Sequence, residues 1–157
     1  MPRRRGNIVK HRVSPDPKYK SQSLQLFINR VMQRGKKTVA ERLVYSALAI
    51  IADKTKKNPV EVFETALRNA SPSMEVKPRR VGGSTLQVPV EVNSARRSAL
   101  AMRWVIGYAR SRSGRTFAEK LAAELLEAAA NQGSSIKKKE DIHKQAEGNR
   151  AFAHYRW

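Results

Sequence analysis

The chain has no cysteine, so it can form neither disulfide staples nor cysteine-ligated metal sites, which suits a reducing compartment. Long apolar runs are missing too. The longest, Leu43 to Ala52 (LVYSALAIIA), falls short of the roughly 20 residues that a membrane-crossing helix needs. The amino-terminal MPRRRGNIVKHR carries the charge of an export signal but no apolar stretch or small-residue cleavage site behind it, so export is not expected. Recognisable catalytic arrangements are also lacking. His11, His143 and His154 lie far apart without metal-ligand spacing, and neither G-x-S-x-G nor GxxxxGK[ST] occurs. Glu119, Glu124 and Glu127 read as a solvated helix face balanced by Lys120. No catalytic residue, metal or cofactor is expected.

Negative charge is the scarcest property. Only 13 Asp and Glu stand against 32 Lys and Arg, leaving a formal charge of +19 on 157 residues. A compact domain tolerates that self-repulsion when its usual partner is a polyanion. With no membrane segment in view, that polyanion is nucleic acid.

The length suits one domain, residues 1–157, with extended ends. Residues 1–20 form a basic arm, since Ser14-Pro15-Asp16-Pro17 breaks any helix and the composition favours disorder until binding. Leu24, Phe27, Ile28 and Val31 fall at i, i+3, i+4 and i+7 and predict a first helix ending near Gly35. Val39 to Asp53, with the wide apolar arc Val39, Leu43, Val44, Ala47, Leu48 and Ile51, predicts a central core helix. Asn58 as cap and Pro59 at the first helical position start a third helix, which Ser71-Pro72 ends. Residues 74–92 then change period, Met74 and Val76 and then Leu86, Val88, Val90 and Val92 alternating with Glu75, Lys77, Gln87 and Glu91 around Gly82-Gly83, a β-hairpin whose Pro78 and Pro89 mark both strands as edges. A fourth helix from Asn93-Ser94 to about Ser111 and a fifth from the capping box Thr116/Glu119 to Gly133 follow. A weaker sixth spans about Ser135 to Gln145, before a tail at 149–157. The fold class is therefore mainly α: about six helices with a protruding hairpin between the third and fourth.

Positive charge is clustered. From Asn93 to Arg115 there is no acidic residue, but there are Arg96, Arg97, Arg103, Arg110, Arg112 and Arg115. A solvated helix face gains by mixing signs, so an all-arginine stripe points to phosphate. Gly107 in that stripe serves either close approach of an RNA backbone or helix packing, and the residues leave the choice open. Arg34, Lys36 and Lys37 around Gly35 stand beside a helix amino terminus, as a phosphate contact or as an ordinary polar loop. Lys77, Arg79 and Arg80 with Gly82 and Gly83 make either a basic finger or strand edges protected from pairing. The ending, Arg150 to Trp157, interleaves aromatics with arginine as base-stacking segments do, though a protein partner or a fold back onto the body would use the same residues. A DNA-binding regulator is the rival class, but the fourth helix lacks the Asn and Gln such readers often use.

Three segments carry a resemblance: SPSMEVKPRRVGGSTLQVPVEV (Ser71 to Val92), INRVMQRGKKTVAERLVYSA (Ile28 to Ala47) and KKKEDIHKQAEGNRAFAHYRW (Lys137 to Trp157). With them the chain resembles, along essentially its whole length, the bacterial members of the small-subunit ribosomal protein seven family. The resemblance implies a six-helix body with a hairpin between helices three and four, binding to the 3′ major domain of small-subunit rRNA, and nucleation of head assembly. It implies rRNA contacts on the arm (Arg3, Arg4, Arg5, Lys10, Arg12), on Arg34, Lys36 and Lys37, and on Arg96, Arg97, Arg103, Arg110, Arg112 and Arg115. It further implies that Lys77, Arg79, Arg80, Gly82 and Gly83, with Arg150, Tyr155 and Trp157, face tRNA and message near the exit site. The partners implied are rRNA, tRNA, mRNA and neighbouring small-subunit proteins in a bacterial or plastid ribosome, with no membrane and no homo-oligomer.

Overall fold

The computed structural model describes residues 13–155. Six α-helices and one antiparallel hairpin follow in the expected order: α1 Gln22–Val31, α2 Lys37–Thr55, α3 Pro59–Ala70, β1 Met74–Val81, β2 Ser84–Glu91, α4 Ser94–Ser111, α5 Phe117–Ala129 and α6 Ser134–Gly148, closed by a 3₁₀ segment at Arg150–Tyr155. The caps set these bounds. The side chains of Ser21, Asn58, Asn93 and Thr116 each accept a first-turn backbone N–H, from Leu24, Val60, Arg96 and Glu119 respectively. Helix α6 reaches three residues past the expected end, taking Gly148 as its last residue.

The apolar stripe of α1 is fully used, with Leu24, Phe27, Ile28 and Val31 all buried. Phe27 meets Phe63 of α3 edge to face, ring centroids 5.1 Å apart, a geometry that aligns ring edge with ring face. The centre of the bundle is α5, not α2 as the wide apolar arc of α2 had implied. Helix α5 packs on α2, α3, α4 and α6. Its buried Ala118, Ala122 and Ala128 let several neighbours approach around Leu121 and Leu125. At the other extreme, Val39 at the start of α2, which its spacing put in the apolar arc, is 46% exposed.

The hairpin pairs Met74 with Glu91 at its base and Val81 with Ser84 at its tip. Gly82 and Gly83 close it at φ 55° and 90°, the positive angles that a two-residue turn matched to strand twist requires. Only its outer half projects. At the base Glu75, Val88 and Pro89 are buried, and the strands lie against α6 and the 3₁₀ segment. From Pro78 to Thr85 the side chains are exposed, apart from half-buried Val81.

Part of the expected arm belongs to the body. Asp16, 1% exposed, accepts the backbone N–H of Lys18 and Tyr19 and the Tyr45 hydroxyl of α2 at 2.5 Å. The two prolines that break a helix here also shape the turn that presents this carboxylate. Burial first, and the Asp16 carboxylate second, raise the Tyr45 phenol above its ordinary value, so its proton stays in this bond. No helix among the described residues is long and apolar enough to cross a membrane.

Candidate nucleic-acid interface

Helix α4 buries Leu100, Ala101, Met102, Val105, Ile106 and Ala109, which turns Arg96, Arg97, Arg103 and Arg110 to the outside. The helix supplies the stripe, but the tertiary structure divides it. Arg96 donates its Nε–H to both carboxylate oxygens of Glu75 in β1, at 2.9 and 2.7 Å. Burial pushes the Glu75 carboxyl up, but hydrogen bonds from Arg96 and Lys77 outweigh it and hold the group below its ordinary range. Arg97 donates to the Val92 carbonyl at 2.7 Å and Arg110 to the Val31 carbonyl at 3.2 Å. Arg112 grips both oxygens of Glu127 and also lies 3.1 Å from Glu124. Arg103 and Arg115 are exposed, with no hydrogen bond or ion pair to a described residue. Between Asn93 and Arg115 the sequence places no carboxylate; the fold brings Glu75 and Glu127 to the stripe from other elements.

The expectation of a solvated acidic face on α5 is overturned at Glu124, which is 1% exposed. Its carboxylate accepts the backbone N–H of Ser135 at 3.1 Å and the Ser135 hydroxyl. Gly133, at the cap position of α6, has no side chain to offer, so Glu124 reaches over from α5 and satisfies that helix start.

Between α1 and α2 the chain turns through Arg34 and Gly35, both at positive φ (51° and 73°). Lys36 then stands at the cap of α2 without a side-chain hydrogen bond. Arg34, Lys36 and Lys37 are exposed, and Lys37 keeps a 3.7 Å pair with Glu41 one turn on. Arg110, bonded to the carbonyl at the end of α1, brings the last turn of the α4 stripe up to this turn. Where they meet lies a groove of about 500 Å³, with Val39, Leu43 and Phe117 in its lining and Arg34, Lys36 and Arg110 as its cations. Sequence reading missed this groove. Its signal was an apolar position, Val39, two residues after Gly35-Lys36-Lys37.

The remaining candidates separate. Lys77 is engaged by Glu75 at 3.1 Å, while Arg80 and both turn glycines stay exposed at the hairpin tip. Of the tail, the 3₁₀ segment lies along β2, with Arg150 exposed and Tyr155 half-buried against His154. Arg3, Arg4, Arg5, Lys10, Arg12 and Trp157 lie outside the described residues. At Gly107 a Cβ would meet nothing within 4 Å, so helix packing does not require glycine there. Among the described residues no group of three or more His, Cys, Asp or Glu could hold a metal ion.

Residues 3–150 match the family described as Ribosomal protein S7p/S5e. The small ribosomal subunit protein uS7 of Thermomicrobium roseum is 60% identical over 157 residues, covering all of both chains. That of Chloroflexus aurantiacus is 59% identical over 155 residues, 99% of this chain and 98% of its own, and that of Pelotomaculum thermopropionicum 58% over 157 residues and all of both chains.

Proposed function

The chain belongs to the ribosomal protein S7p/S5e family, and on that premise we propose that its basic face docks on the 3′ major domain of small-subunit rRNA and nucleates assembly of the head. It is a structural, non-enzymatic component of the small subunit of the bacterial ribosome, with rRNA and neighbouring ribosomal proteins as partners. In this reading the hairpin tip around Arg80 and the carboxyl-terminal segment face tRNA near the exit site and the path of the message.

The observation that carries the proposal is the set of exposed cations on the outer face of α4 and in the α1–α2 turn, of which Arg110, Arg34 and Lys36 line one groove. Docking displaces counterions condensed on the RNA, and the shape of folded RNA supplies selectivity. The rival DNA reading needs base-reading side chains at the helix start, yet Asn93 is already occupied as the cap of α4.

The test is filter binding of the whole protein to a 3′ major domain transcript, beside a 5′ domain transcript and duplex DNA, over a salt series. Preference for the 3′ domain that persists at physiological salt is expected. Equal binding to all three, lost together as salt rises, would leave a generic polycation and refute the proposal.

A further inference from the structure

We propose that the groove beside the α1–α2 turn holds one unpaired nucleobase of the bound RNA, with the adjoining phosphates on Arg34, Lys36 and Arg110. The inference rests on the RNA-docking reading and adds a base site to it. Among the described residues the exposed large hydrophobics are Leu26 and Val39, and Val39 lies in the groove. An apolar floor left open to water beside three cations calls for a partner that is apolar on one side and anionic beside it. No Asp or Glu lines the groove, so the sign of its charge is unopposed.

A bare phosphate would use the cations but not the apolar floor. An apolar protein side chain would use the floor but leave three cations facing it. A nucleotide in a single strand matches both, since its base has an apolar π-face and its sugar is flanked by phosphates. Size agrees: about 500 Å³ has room for one nucleotide. Phe117, half-buried in the wall, supplies the aromatic surface that base stacking favours. Arg110 is held in place by the Val31 carbonyl and keeps further guanidinium hydrogens for an anion.

The probe is the 3′ major domain transcript, and the variants are Val39→Ser and Lys36→Ala in the full chain. Val39 is 46% exposed, so its replacement leaves folding intact, checked by an unchanged thermal midpoint. Val39→Ser should weaken binding roughly tenfold with no change in salt slope, because it removes apolar contact and no phosphate contact. Lys36→Ala should lower the slope by about one contact. Base-specific chemical probing should show one unpaired nucleotide protected by the native protein, exposed again with Val39→Ser, within an otherwise unchanged footprint.

Unchanged affinity and footprint for Val39→Ser, with Lys36→Ala still lowering the slope, would overturn the base site and spare the docking reading. If both variants bind like the native protein, RNA does not use this turn and the base site is overturned, while the docking reading stands or falls on its preference for the 3′ domain. If RNA binding is untouched but contact with a neighbouring ribosomal protein is lost, the groove belongs to that protein and the base site is overturned.

Discussion

The arginines of α4 and the loop after it fall into two groups that electrostatics alone would treat alike, and their separation is measurable. Arg103 and Arg115 have no protein partner among the described residues, whereas Arg112 is bound by Glu127 and Glu124. If the first pair meets phosphate, replacing both by Ala removes two counterion-releasing contacts. The slope of log K against log salt should shrink by about 1.4 for single-stranded sites to about 1.8 for duplex ones. Between 50 and 200 mM salt that corresponds to a roughly 7- to 12-fold smaller loss of affinity. Thermal stability should stay within about 0.5 kcal/mol, because exposed side chains without partners hold nothing together. Arg112→Ala should behave in the opposite way. It strands the buried Glu124 carboxylate and half of a two-pronged pair, costing about 2–3 kcal/mol and lowering the midpoint by roughly 4–12 °C, with the slope unchanged. Calorimetry and filter binding on the same samples read both quantities. A reduced slope for Arg112→Ala without loss of stability would refute the division.

Three further outcomes follow from the same geometry. Gly107→Ala should stabilise α4 by about 1 kcal/mol in urea unfolding, since the added Cβ meets nothing, while weakening RNA binding if a backbone passes there; lower stability would restore the packing explanation. Glu124→Ala should cost about 2–4 kcal/mol by leaving the Ser135 N–H and hydroxyl without their acceptor and removing one of the two carboxylates beside Arg112, and Glu124→Gln clearly less, because an amide carbonyl can still accept; equal costs would show that shape rather than hydrogen bonding matters. Because the folded-state value of Glu75 lies below its ordinary 4.5, its contribution is fully present above pH 4.5 and is lost as pH falls through the lowered value. Unfolding midpoints of native protein and Glu75→Gln should therefore converge below pH 4.5, and parallel curves there would refute the assignment.

Features written in neighbouring residues were legible in the sequence. Asn58-Pro59, Asn93 and Thr116 state their helix starts locally, and Gly82-Gly83 between alternating strands states both turn and register. Legibility failed where a residue's meaning depends on a partner far along the chain. Asp16 looks like a turn residue until Tyr45, 29 positions on, donates to it. Glu124 has the spacing of a surface acid, yet Ser135 and Arg112 converge on it only after α5 and α6 have packed. The alanines of α5 carry little weight in a hydrophobic pattern, although their small size is what admits four neighbouring helices.

The stripe shows why this limit bears on function. From sequence, six arginines without a nearby acid argue for six phosphate contacts, because repulsion needs relief and no carboxylate is in view. Folding supplies part of that relief internally: Glu75 comes from β1, 21 positions before Arg96, and Glu127 from α5, 15 positions after Arg112. Each such pair removes one arginine from the count free to bind RNA and gives it a second task, fixing the hairpin base to α4 or the α4–α5 loop to α5. Arg110 stands between the two groups, tying α4 to the end of α1 while also lining the groove. Net charge thus sets the upper limit on phosphate contacts, and the carboxylates reached through the fold decide how many arginines are left to make them.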